Sequence, residues 1–220
     1  MLKNLGRWIA GRVLVLTLVS APLFAELQKF TFDRNHSLVG FRIRHFVTRV
    51  EGRFRDFEGA IWIDREKPSA SRVEPTIQAA SIDTGVENRD KHLRSADFFD
   101  AEKYPTITFK STTIEPKGND AYSVTGNFTM HGVTRPMIVP VRHGGFVNLG
   151  KVEKAGFEAT FLINRKDFGV TWNRSVDQGG VMLGDEVEIN LQVEADRELP
   201  EASRPAAPPA AAFPSGALTG

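Results

Sequence analysis

The chain has 220 residues, 41% of them hydrophobic and 25% charged, and no cysteine. That length suits one globular domain with a sizeable core, and the lack of cysteine excludes disulfides, a thiolate nucleophile and a Cys-ligated zinc. The formal net charge of +1 belongs to the first segment: without Lys3, Arg7 and Arg12, 25 of the 28 basic residues face 27 acidic ones, about −2. The electrostatic motive for a nucleic-acid partner is lost with those three residues.

Residues 1–25 run from that basic start through the apolar VLVLTLVS (13–20) to APLFA (21–25), the order of a secretory signal peptide cut near Ala25. The apolar run is shorter than the roughly 20 residues that span a bilayer, which favours a leader over an anchor. At the other end, 199–220 is mostly Ala and Pro and is expected to be a disordered tail, because it has too little apolar surface to offset its ordering entropy. The folded domain is expected over 26–198.

Within that domain the dominant period is two. Val39, Phe41 and Ile43 alternate with Gly40, Arg42 and Arg44, and Ile107 and Phe109 alternate with Thr106, Thr108 and Lys110. Similar series follow at 122–130, 157–163 and 186–194, with weaker runs at 28–33, 53–64 and 72–82. Each buries one face and wets the other, the pattern of antiparallel sheet. Turn signals separate them: Lys117-Gly118-Asn119-Asp120, His131-Gly132, His143-Gly144-Gly145 and Gly179-Gly180. About eight strands result. One helix is expected over 86–95, capped by Asp83 or Thr84 and lying across one end of the sheet.

Such a sheet can form a sandwich or a closed barrel. The domain length and 16 Phe favour an eight-stranded antiparallel barrel, all-β but for the short helix near a mouth. The interior of such a barrel is either just filled by side chains or holds one small ligand.

Catalytic signals are weak. His36 and Ser37 are adjacent at the head of a strand and point to opposite faces, so they do not form a nucleophile–base pair. No GxSxG elbow occurs, and Asp167-Phe168-Gly169 lacks every other kinase element. His36, His45, His92, His131 and His143 show no metal-ligand spacing. Arg42, Arg44, Arg49, Arg53 and Arg55 crowd one hairpin, either as a solvated strand face or as a patch that touches anionic lipid headgroups.

Five segments say more. HLRSADFFDAEKYPTITF (92–109) sets Phe98-Phe99 among charged residues, which suits the mouth of an apolar cavity. Together with FDRNHSLVGFRIRH (32–45), GNFTMHGVTRP (126–136), INRKDFGVTW (163–172) and GDEVEINLQVEA (184–195), it resembles the YceI-like family over about 26–196. The resemblance implies a lipocalin-like barrel in the periplasm that binds a polyisoprenoid or related amphiphile and has no agreed catalytic site.

Phe41, Ile43, Phe109, Phe128, Phe161 and Leu191 lie on the apolar phase of their strands and are expected to line the bore, with Phe98 and Phe99 at its entrance. Arg89, Asp90, His92 and Arg94 are the expected polar rim. The expected ligand is a polyisoprenoid, quinone or fatty-acid-like lipid, with no other cofactor, no metal and no chemistry. Transient contact with a membrane surface and a homodimer are the expected associations. Two other readings stay open: an enzyme acting on a small amphiphile through Asp90, His92 and Arg94, and a solidly packed structural barrel.

Overall fold

The structure, a computed structural model, describes residues 27–176 and 180–199. The expected leader 1–25 lies outside the described residues, and so does the expected tail beyond residue 199.

The expected alternating runs become strands, those at 53–64 and 72–82 each split in two, and a further long strand forms over 133–148, where none was expected. The first strands are β1 (Gln28–Phe32), β2 (Leu38–His45), β3 (Thr48–Phe54), β4 (Phe57–Ile63), β5 (Arg72–Gln78) and β6 (Ile82–Asp83). Helix α1 (Glu87–Arg94) follows, then β7 (Thr106–Gly118), β8 (Ala121–Met130), β9 (Val133–Asn148) and β10 (Val152–Asn164). The short pair β11 (Ser175–Val176) and β12 (Gly180–Val181) precedes the long β13 (Leu183–Glu198).

The order β1-β4-β5-β7-β8-β9-β10-β13 returns to β1, so the sheet closes into a barrel of eight staves. The first three staves are broken in two. β2 continues β1, β3 continues β4 and β6 continues β5, because one edge of β13 pairs with β1 at Phe32↔Ala195 and then with β2 from Leu38↔Gln192. Its other edge pairs with β10 from Val152↔Glu198 to Asn164↔Glu186.

β9 pairs with β8 from Met130↔Val133 to Ala121↔Arg142, but joins β10 only from Val141↔Ala159 onward. Pro136 and Pro140 fall in the singly paired stretch, where a missing N–H is tolerated. The 3₁₀ turn Arg165–Phe168 follows β10 at this end, and Phe168 is buried edge-on against Phe128 at 5.2 Å.

Two turn expectations separate here. His131-Gly132 is a two-residue hairpin turn with both φ values positive, the form that matches strand twist. His143-Gly144-Gly145 is not a turn. It lies inside β9, where the register slips between Gly145↔Gly156 and His143↔Phe157, and Gly144 is the extra residue of a bulge. Leu199, assigned to the tail by composition, is buried, and its N–H donates to the Lys151 carbonyl at 3.0 Å.

Two apolar clusters fill the ends of the barrel. One gathers Phe54, Phe57, Phe98, Ile107, Met130 and Phe168 near α1. The other is formed by Phe30, Ile61, Ala155 and Ala195 at the far end, and Phe32 packs against both.

Candidate functional site

The staves do not fill the barrel. A cavity of about 680 Å³ runs through it, within the range of small-molecule sites. Leu183 and Val193, ten positions apart on β13, both border it. That spacing is about 33 Å along a strand, or about 25 Å along the axis at the usual barrel tilt. The wall is almost entirely hydrocarbon.

A recurring pair keeps this space open. A Cβ at Gly52 would lie 2.4 Å from Phe41 Cζ, one at Gly126 2.4 Å from Phe109 Cζ, and one at Gly59 2.7 Å from Phe32 Cε2. Each phenylalanine ring lies against a glycine on the neighbouring strand, in space a side chain there would occupy. The ring becomes wall instead of filling, which a solidly packed barrel would not need.

Phe41, Ile43, Phe109, Phe128, Phe161 and Leu191 all border the cavity, as do Phe98 and Phe99. The last two are more than a gate. Phe98 is buried, stacked at a tilt on Trp172 at 5.1 Å, while Phe99 meets Phe54 edge-on at 5.7 Å. Together with α1 they form a packed plug at one end. Trp172 comes from a loop, so strand periodicity could not place it on the wall.

The expected polar rim divides. Arg89 and His92 border the cavity, and so does exposed Asn88, which brings it to the surface beside α1. Arg89 donates from Nε to Thr84 Oγ1 at 2.7 Å and from Nη2 to the Thr84 carbonyl at 2.9 Å. His92 pairs with Asp97 at 2.8 Å and lies edge-on to Phe98 and Trp172. Asp90 is not at the rim. It is buried and accepts from both the backbone N–H and the hydroxyl of Thr84, tying the helix to β6. Arg94 turns away to Glu87 at 3.3 Å. Asp90, His92 and Arg94 therefore do not converge on one reacting point. Val86, with no side-chain cap, occupies the helix N-cap position in place of Asp83 or Thr84.

His143 and Arg165 are among the polar residues of the wall that were missed. His143, hidden by the apparent Gly-Gly turn, borders the cavity between Phe146 at 4.4 Å and Phe157 at 5.1 Å. Burial holds its imidazole below the usual histidine pKa, so it is neutral at pH 7. Arg165, buried at the other end, donates to the carbonyls of Gly184, Val170 and Trp172. A bulge glycine pair after histidine, and an arginine just past a strand end, were the available signals.

On the outside, Ser37 bonds the backbone of Glu194 and not His36. His36 instead meets Asp33 at 2.7 Å. Asp33, His36 and Glu194 have the donor types of a metal site. However, Lys154 Nζ reaches Glu194 at 2.7 Å, Asp196 at 2.8 Å and Asp33 at 3.4 Å. The ammonium already supplies the cation that the carboxylates need.

A matching family model, the YceI-like domain, covers residues 30–195. The chain belongs to the YceI-like family. It is 38% identical over 171 residues to a UPF0312 protein of Azotobacter vinelandii, covering 76% of this chain and 84% of that one. Identity to a UPF0312 protein of Pseudomonas aeruginosa is 37% over 179 residues, covering 77% and 86%. Among solved structures, BcnA of Burkholderia cenocepacia superposes with a TM-score of 0.65 at 29% identity, over 74% of this chain and 98% of that one. A polyisoprenoid binding domain from Saccharophagus degradans, 15% identical, shares the fold at a TM-score of 0.56 over 80% and 100% of the two chains. In this YceI-like chain the family's barrel is therefore present with its bore open.

Proposed function

We propose that this protein is exported and binds the tail of an isoprenoid or another lipid amphiphile inside the barrel, carrying it without chemistry. The observation that carries the reading is the long hydrocarbon-walled cavity, bordered by rings seated against glycines of the neighbouring strands. A bore of about 25 Å accepts a prenyl or acyl chain along its length. Each buried CH₂ contributes about 0.8 kcal/mol, so ten carbons give on the order of 8 kcal/mol before ordering costs. The tail therefore sets affinity, while Arg89, His92 and Asn88, where the cavity reaches the surface, select the head group. The basic-then-apolar order of 1–25 supports export and a periplasmic location. The structural neighbour described as a polyisoprenoid binding domain supports the isoprenoid class.

Organic extraction of the purified protein, followed by mass spectrometry, tests the reading. A prenyl, quinone or acyl lipid in stoichiometric amount is expected. Protein that yields no lipid, and that takes up none after delipidation, would overturn it.

A further inference from the structure

Tight hairpins of antiparallel sheet place a residue at positive φ, so Gly, Asn and Asp dominate their turns. The β2–β3 hairpin breaks that rule. His45 pairs with Thr48, leaving Phe46 and Val47 as the whole turn, with Phe46 at φ 49°. A phenylalanine in the left-handed region is strained, and the fold does little to repay it. Phe46 is 41% exposed and meets only the edge of its neighbour His45 at 4.5 Å among aromatic rings, while Val47 is fully exposed. Val181, 44% exposed, sits next to this apex, since the Phe46 N–H donates to the Met182 carbonyl at 2.8 Å. Two large apolar side chains therefore project from a strained turn outside both apolar clusters, a local violation that points to function.

The surroundings identify the partner. Ile43, His45, Val50 and Met182, at the foot of the apex, all border the bore. Arg44 donates to the Phe46 carbonyl at 3.1 Å and has no acidic partner among the described residues. The other arginines of the hairpin are engaged: Arg42 and Arg49 share Glu188, and Arg53 and Arg55 share Asp83. A convex two-residue apex is far too small for a stable protein interface, which needs about 1,000 Å². A lipid surface needs no matching shape and accepts Phe and Val beside Arg at its headgroup level.

We infer that the β2–β3 apex is a membrane-docking prong, with Phe46 and Val47 entering the headgroup–acyl boundary and Arg44 facing lipid phosphate, so that the adjoining end of the bore meets the bilayer. This gives the lipid carrier proposed above its route of exchange, and rests on that reading for its purpose. It also replaces the paired arginine face by the apex as the contact.

Co-sedimentation of the purified protein with vesicles of phosphatidylcholine and phosphatidylglycerol tests it. The double variant Phe46→Gly, Val47→Ser suits the positive φ and keeps the fold, with an unchanged or raised Tm. Its vesicle partition is expected to fall about ten- to a hundredfold. Arg44→Gln is expected to lower partition only on the anionic vesicles, by a few fold, and only at low salt. Equal partition of the double variant and wild type, or no wild-type partition at all, would overturn the prong. So would a double variant that loses a homodimer while vesicles leave the wild type in solution, since the apex would then bind a second copy. Lipid extraction reports on the bore separately: protein that partitions but holds no lipid refutes the carrier alone, and protein that holds lipid but ignores vesicles refutes the prong alone.

Discussion

The Ser37 hydroxyl bridges the backbone of Glu194, accepting from its N–H at 3.0 Å and donating to its carbonyl at 3.2 Å. These two bonds fall where β1 ends and β2 has not begun, so a side chain substitutes for a missing ladder residue. Asp33 adds its own N–H to the same Glu194 carbonyl at 2.8 Å. The letters that look like part of a hydrolytic triad are thus a splice that carries β13 past a broken stave.

Ser37→Ala should therefore cost stability and no chemistry. Losing two hydrogen bonds and leaving the Glu194 N–H without its hydroxyl partner should destabilise by about 1–3 kcal/mol, read by urea denaturation at constant m-value. An unchanged midpoint would mean that water bridges the splice equally well.

The neighbouring ion pair sets a pH dependence. The Asp33 carboxyl is held down at about 2, first by its hydrogen bond to His36, and the same bond, with the charges of Asp33 and Glu194, raises His36 above its usual 6.5. A raised histidine contributes stability that is complete below pH 6.5 and lost as pH climbs through the raised value. The depressed Asp33 contributes stability that is complete above about 3.8 and lost as pH falls towards 2. Tm should decline on both limbs, weakly because His36 is exposed. His36→Gln should flatten the alkaline limb, and an alkaline limb that is identical in the variant would exclude this pair as its source.

Every stave but β9 was legible in the sequence because one wet face and one dry face impose a period of two, and the Phe41, Phe109 and Leu191 series sits on the dry phase throughout. What failed was whatever the period does not encode. His143 was hidden because a glycine pair reads as a turn, whereas Gly144 and Gly145 absorb a bulge within a continuing strand. Asp90 was misplaced because composition shows a charge and not its partner, here Thr84 six residues earlier. The Phe46-Val47 turn lacks any Gly or Asn, so no turn signal marked the hairpin apex. The openness of the bore depends on pairs across strands, such as Phe41 with Gly52, that only register reveals.

Phe98 and Phe99 should respond differently to truncation. Phe98 is buried against Trp172 and His92, so Phe98→Ala is expected to cost about 3–5 kcal/mol, as core Phe→Ala changes do. Phe99 is only partly buried, and Phe99→Ala should cost less while raising the off-rate of bound lipid. Calorimetry and stopped-flow displacement by a fluorescent fatty acid measure the two effects. A Phe98→Ala protein as stable as wild type would return the pair to the role of a loose gate.

The ring–glycine pairs give the sharpest test of container against packed core. In Gly52→Ala the new methyl lies 2.4 Å from Phe41 Cζ and 2.9 Å from Thr84 Cγ2, both side-chain atoms, so the strand can stay and the ring must move. Phe41 borders the bore, so its displaced ring is expected to take up space there. The variant should remain folded, at an overpacking cost of about 1–3 kcal/mol, and should lose affinity for long chains more than for short ones. Gly126→Ala serves as the contrast, because its methyl would also lie 2.5 Å from the Lys110 carbonyl oxygen, part of the backbone. That clash cannot be relieved by rotating a ring, so it should destabilise more than Gly52→Ala. Binding of acyl chains of increasing length to both variants separates the cases. If Gly52→Ala is folded and its chain-length preference matches wild type, the bore does not depend on rings lying over glycines, and the cavity must be held open in another way.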